Sequence, residues 1–245
     1  MEVIDGQWYM DGLDIDDPAC KRSAKDLLEV IEKAGFLPLF SNSVPGFSVE
    51  EMTCPSQWWT GSDLDPWSWR EELCKNPDVA YGKFFKNKAG YISKKWFPYL
   101  ANFRRDGYDF DALYSDGKAG YREKLLMDLF VPEGVDMWDV KNAPAYFTYQ
   151  MKDKAGFGKN GEKNFDGVLA RLQMRTYLIV GDLAPRLNKQ GEAFGWSVAR
   201  MQLPESKWGY KHVTSRYKET PKESYDAIIR HLSSIFPEGN IKKLI

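Results

Sequence analysis

The sequence predicts an α+β protein: an N-terminal mixed α/β region with a basic hairpin over residues 1–120, then a C-terminal winged helix-turn-helix with a final helix over 121–245. Three observations predict it. Short apolar runs alternate with turn signals in the first half. The second half runs helix, helix, helix, strand, turn, strand. Between them the 27 residues 79–105, "VAYGKFFKNKAGYISKKWFPYLANFRR", hold seven Lys and Arg and no acid.

Residues 18–35, "PACKRSAKDLLEVIEKAG", place Leu27, Leu28 and Ile31 on one stripe, with Gly35 as the stop, and read as a helix. "FLPLF" behind it reads as a short buried strand. In "SDLDPWSWREEL", Asp65 suits an N-cap and Pro66 the first helical position. "VAYGKFF" and "KAGYIS" read as a hairpin with lysine at its tip. Two Asp/Gly turn signals then precede "YREKLLMDLF", whose Leu125, Leu126 and Leu129 form an apolar helix face.

That helix, over 122–130, is the first of three. "PAYFTYQMKDKAGFG" (144–158) reads as the second, stopped by Gly156 and Gly158. The third starts after Asn164 as N-cap, with Phe165, Val168, Leu169 and Leu172 at helical spacing, and runs into the strand "TYLIV". Asn188–Gly191 turns the chain, and "WSVARMQ" returns as the partner strand.

At 245 residues, 43% hydrophobic and 28% charged, the chain has the make-up of a folded soluble protein. The acidic N-terminus lacks the basic-then-apolar order of a signal peptide, and apolar runs such as "YLIV" are far too short to span a bilayer. No membrane partner is expected. Cys20, Cys54 and Cys74 are odd in number and widely spaced, and only His212 and His231 stand beside them. That pattern argues against a disulfide framework and against zinc, and points to a reduced, cytoplasmic protein with no metal and no cofactor.

The net charge of -1 hides a split: residues 1–78 carry 6 Lys+Arg against 16 Asp+Glu (net -10), and residues 79–245 carry 28 against 19 (net +9). Such asymmetry suits a partner that reads charge, and nucleic acid is the usual one. In the acid-free stretch, alternation turns Tyr81, Phe84, Phe85 and Tyr91 inward. It leaves Lys83, Lys86, Lys88, Lys94, Lys95, Arg104 and Arg105 as a positive face for phosphates. On helix three, Lys163, Arg171 and Arg175 are the matching candidates, and Arg186 and Lys189 on the wing. Gln173 suits either base contact or a backbone hydrogen bond near the wing. Asp63, Asp65, Glu71 and Glu72 beside Trp58, Trp59, Trp67 and Trp69 offer weak catalytic candidates: clustered carboxylates against aromatic walls could hold a raised pKa or a flipped base. A helix start packed by core tryptophans explains the same pattern.

The segment "NFDGVLARLQMRTYLIVGDLAPRLNKQGEAFGWSVARMQLPES" resembles the winged-helix segment of proteins related to the AlkZ-type DNA glycosylases. Further motifs, "VPGFSVEE", "WWTGSDLDPWSWREEL", "AYGKFFKNKAGYIS", "FRRDGYDFDA" and "WGYKHVTS", extend the likeness to a bacterial AlkZ-related group, from about residue 25 to the end. The resemblance implies DNA as the partner and DNA repair as the setting, with damaged or distorted DNA as the substrate class. It does not carry catalysis across. Activity in the glycosylases is associated with Gln-x-Gln or Gln-x-Asp, and here the nearby match is Gln173-Met174-Arg175. A cation beside an oxocarbenium-like centre would repel it. Two alternatives stand beside DNA binding: an active base-excising glycosylase, and a non-enzymatic protein–protein module built on the winged helix.

Overall fold

Ser23, in extended conformation, starts the first long helix by accepting the Asp26 N–H, and Gly35 ends it in the left-handed region with its N–H on the Ile31 carbonyl. A Cβ on Gly35 would fall 2.2 Å from the Trp96 ring, so both φ and space demand glycine there. The helix is therefore shorter than expected, because a side-chain cap holds its start at residue 24 rather than 18. These details come from a computed structural model that describes residues 2–4, 7–132, 134–188 and 190–245. By contacts the chain forms two compact units, 1–96 with 226–245, and 97–225. This partition and the division expected at 120/121 are different ones.

The first unit opens with a small antiparallel pair, β1 (Glu2–Ile4) and β2 (Gln7–Tyr9). The long helix is α1 (Ala24–Ala34), followed by β3 (Phe36–Pro38), α2 (Val49–Met52) and α3 (Trp69–Leu73). The expected hairpin forms as β4 (Val79–Phe85) and β5 (Lys88–Ser93), antiparallel, with β3 on the other side of β5. Lys86 and Asn87 both have positive φ, 50° and 66°, which fits a tight two-residue turn. The aromatic residues of this hairpin do face inward: Tyr81, Phe84, Phe85 and Tyr91 are buried, and the Tyr81 and Tyr91 rings lie 4.9 Å apart.

The second unit holds α4 (Phe97–Arg105), α5 (Phe110–Ser115) and α6 (Tyr121–Met127). Glu123, Leu126 and Met127 are buried in α6, while Leu125 and, past its end, Leu129 are half-buried. The helix expected over 144–158 is two elements instead: strand β6 (Tyr146–Phe147) and helix α7 (Thr148–Lys154). The aromatic pair finds ladder partners, Tyr146 opposite Met201 and Phe147 opposite Arg200, and a strand satisfies its backbone there. Next come α8 (Phe165–Met174), β7 (Ile179–Leu187) and β8 (Ala193–Gln202), with β7 and β6 on either side of β8. Asn164 occupies the cap position of α8 but, in left-handed conformation, donates no side-chain cap. The unit ends with α9 (Pro204–Trp208), α10 (Tyr210–Val213) and the start of α11 (Pro221–Ile235). The remainder of α11 and the short α12 (Ile241–Leu244) count with the first unit.

Within the first unit this C-terminal segment packs closely. His231 stacks on Trp96 at 4.2 Å and meets the Ala34 carbonyl at 3.0 Å, and Phe236 lies 4.0 Å from Phe47. Among the described residues no helix is long and apolar enough to cross a membrane.

Candidate nucleic-acid interface

The β7–β8 hairpin changes character along its length. At its root Ile179, Val180, Leu183 and Met201 are buried. Towards the tip Leu187, Phe194 and Trp196 are exposed, Trp196 to 71%. Bulges between Val180 and Asp182 and between Ala184 and Arg186, with Gly195 at φ 71°, break the regular ladder. Exposed aromatic rings that far from a core contribute nothing to it and suit a contact surface.

Beside the hairpin a row of charges and rings is in place. The Arg186 guanidinium lies 4.8 Å from the Tyr149 ring centre. Tyr149 stacks on Phe147 at 5.5 Å with an interplanar angle of 9°. Arg200, opposite Phe147 in the ladder, lies 5.8 Å from that ring. The row depends on β6: the two-residue strand points Phe147 at β8, and the first turn of α7 carries Tyr149. Such a surface offers flat faces for bases and fixed cations for phosphates.

Helix α8 is less open than a groove-reading helix needs to be. Phe165, Val168, Leu169, Ala170, Leu172 and Gln173 are all buried. Gln173, 4% exposed, donates to the Leu169 carbonyl at 3.4 Å. It is a backbone-bonding residue and cannot reach a base from there. Arg171 and Arg175 lie 3.7 Å and 3.9 Å from the same Glu123 oxygen, and Arg175 also donates to the Lys118 carbonyl. Lys163 donates to the Gly158 and Lys159 carbonyls. These three cations surround the first and third helices, yet one carboxylate already offsets part of their charge.

On the first unit, Lys83, Lys86, Lys88 and Lys95 are exposed. Lys94 is half-buried and pairs with Asp78 at 3.5 Å. Arg105 does not belong to a positive face. It is 1% exposed, and its guanidinium donates to Glu205 at 2.5 Å and to the Thr176 carbonyl at 2.6 Å, inside the second unit. Arg104 is half-buried, with Nη1 on the Met174 carbonyl at 2.8 Å. Both arginines at the end of α4 therefore bond to protein carbonyls within the second unit. Lys189 lies outside the described residues.

Among the carboxylates, Asp65 is excluded as a free acid or base. It is 1% exposed and accepts the N–H groups of Trp59, Gly61 and Trp67 and the Ser68 hydroxyl. It organises the loop ahead of α3 rather than capping its first turn. Asp63, Glu71 and Glu72 do share an open depression of about 440 Å³ with Ser62 and Ser68. Trp58 and Trp69 are core residues, Trp67 lies under the Arg70 guanidinium at 3.2 Å, and only Trp59 of the four is exposed. Most of the rings pack the protein, and Trp69, though buried, also forms part of the depression's wall beside the acids.

Sequence reasoning missed Trp196, Phe194, Tyr149 and Arg200. The signal was present in "GEAFGWSVAR", where apolar residues continue past the point at which the hairpin can still reach a core. A family model described as AlkZ related matches residues 21–245. Comparison with curated proteins and with solved structures gives no match.

Proposed function

The chain belongs to the AlkZ-related family, and on that basis we propose that residues 121–245 form a winged-helix domain that binds DNA, chiefly through the wing. The element order supports the domain: α6, β6, α7, α8, β7 and β8, with β6 paired to β8. The observation that carries the reading is the exposed tip Leu187, Phe194 and Trp196 beside the row Arg186–Tyr149–Phe147–Arg200. Rings can stack only on bases whose faces are open, so the surface favours damaged, distorted or frayed DNA over a regular duplex. Arg186, Lys189, Arg171, Arg175 and Lys163 supply phosphate contacts in this reading, and Lys83, Lys86, Lys88, Lys94 and Lys95 add to them.

Binding without base excision fits the residues present. Gln173 is buried and Arg175 follows it where the glycosylase motif has a neutral or acidic group. The three cysteines are free and buried, which suits a reducing, cytoplasmic setting.

Fluorescence anisotropy of labelled duplex, single-stranded and abasic-site DNA at two salt concentrations tests the reading. The expected result is salt-dependent binding, tighter for abasic than for regular duplex, and weakened by Arg186→Glu. No binding to any of the three at low salt overturns it and leaves the wing as a docking surface for a protein. Release of free base from alkylated DNA, lost in Asp63→Asn or Glu71→Gln, would instead establish a glycosylase.

A further inference from the structure

The first unit contains a second feature that DNA binding by the wing does not use. Between β3, the β4–β5 turn and α12 lies a cavity of about 170 Å³. Its apolar walls are Pro38, Phe40, Phe85 and Leu244. Phe85 and Leu244 are themselves buried, and so is Pro38, so the floor is core rather than surface. Its rim carries Lys86, Lys88 and Lys243, all exposed, and no acidic side chain lines it.

The walls are held in place by specific bonds. Ser43 donates its hydroxyl to the Asn240 carbonyl at 3.1 Å, and Asn240 returns its N–H to the Ser43 carbonyl at 3.2 Å. That exchange fixes the loop after β3 against the start of α12, and the Asn240 side chain also caps the Lys243 N–H. In the same loop, Asn42 donates to the Phe47 carbonyl and accepts the Val44 N–H. Lys88 reaches the Ser41 carbonyl at 3.4 Å, which holds its ammonium over the opening. Lys86 sits in the left-handed region, at φ 50°, in the tight turn itself. A β-branched residue could not take that conformation, and a turn restricted to two residues holds the lysine backbone at the rim.

We infer that this cavity is a binding site for a small organic anion, one aromatic ring carrying a phosphate group. Size and charge select that class. A space of about 150 Å³ accepts a benzene-sized ring, and the apolar walls here line a half-open pocket of comparable volume. Three ammonium groups on one rim favour a doubly charged anion, and lysine serves phosphate as a point charge. A polymer backbone would need a groove that runs past the site; one ring-sized cavity with charge at its mouth suits a free monoester better.

Phenyl phosphate is the probe, titrated into the full chain by calorimetry and ligand-observed NMR, beside inorganic phosphate, benzyl alcohol and a short single-stranded oligonucleotide. The site predicts that phenyl phosphate binds at least about tenfold more tightly than either of its halves, a difference of about 1.4 kcal/mol. The triple variant Lys86→Gln, Lys88→Gln, Lys243→Gln changes exposed side chains only, keeps the thermal midpoint, and loses at least about tenfold in affinity. Ser43→Trp, which fills the mouth from a loop position, abolishes binding without touching the lysines, while Ser43→Ala, which loses the same hydroxyl bond to the Asn240 carbonyl without filling the mouth, keeps it. Equal binding of inorganic phosphate and phenyl phosphate overturns the site, as does an affinity that ignores both variants. Oligonucleotide binding that is abolished by Ser43→Trp together with phenyl phosphate binding also overturns it and reassigns the cavity to nucleic acid. Because Lys86 and Lys88 are also proposed DNA contacts, the two readings are separated by Arg186→Glu, which leaves the cavity lining untouched, and by Ser43→Trp, which leaves every proposed DNA contact in place.

Discussion

Arg105 and Glu205, a hundred residues apart, meet at 2.5 Å with both side chains fully out of solvent. Burial opposes the arginine charge, and the Glu205 carboxylate more than restores it, holding the guanidinium above its ordinary value. Thr176 receives two more of its N–H groups, one on the carbonyl and one on the hydroxyl. The pair ties α4 to α9 and, through Thr176, to the segment between α8 and β7, and so holds the base of the β7–β8 hairpin.

Removing one partner leaves a buried charge without its complement, which costs about 3–5 kcal/mol. Glu205→Leu is therefore expected to lower the urea midpoint sharply. The double variant Arg105→Met, Glu205→Leu, with both charges gone, should recover a good part of the loss. A double variant no more stable than the single one would show that Thr176 and the arginine packing, not the ion pair, carry the effect.

Asp65, itself buried, accepts three backbone N–H groups and one hydroxyl from a loop that is largely exposed. Asp65→Ala removes the shared acceptor of these donors, at about 1–3 kcal/mol for those that water does not reach. Thermal unfolding should show a large fall in midpoint, while Asp63→Asn, on an exposed side chain, should leave the midpoint within about 0.5 kcal/mol of wild type.

His231 gives the first unit a pH dependence of known sign. Burial is the main reason its imidazole is held below the ordinary 6.5, and Lys95 adds to the effect, against the Ala34 carbonyl contact. The folded ring then binds its proton less tightly than the unfolded one, so stability rises with pH as the unfolded value is passed and is lost as pH falls below it. Thermal midpoints at pH 5 and pH 7.5 should differ more for the wild type than for His231→Gln. Equal differences would remove His231 from the account.

Trp196 offers the most exposed ring of the β7–β8 hairpin. Trp196→Ala should weaken single-stranded and abasic-site DNA binding by about 1–3 kcal/mol, roughly five- to 150-fold. Regular duplex binding should change less, and the unfolding midpoint should stay put, because an exposed ring supports no core. Arg186→Gln should instead lower the salt slope by about one phosphate's worth on every DNA tested. Both variants are read by anisotropy.

Local chemistry was legible in the residues themselves. The basic hairpin, its inward aromatics, the helix ending at Gly35 and the β7–β8 hairpin all follow from patterns within a dozen residues, where alternation, capping and turn preferences act. The α+β character followed from the same patterns. The helix expected at 144–158 failed because Tyr146 and Phe147 gain ladder partners far along the chain, Met201 and Arg200, a long-range pairing that local propensity cannot register.

The sequence by itself determined most of the helices and hairpins, apart from β6, and where most lysines face water, since these depend on neighbours along the chain. The tertiary structure decided what each charge is for. Arg105 and Asp65 look like any other surface candidates in a string of letters, yet each is buried and satisfied by partners supplied from elsewhere in the fold. Conversely, Trp196 and Phe194 read as core residues until the hairpin carries them away from one. Burial is a property of all the chain that surrounds a residue, and that surrounding exists only once distant segments have packed.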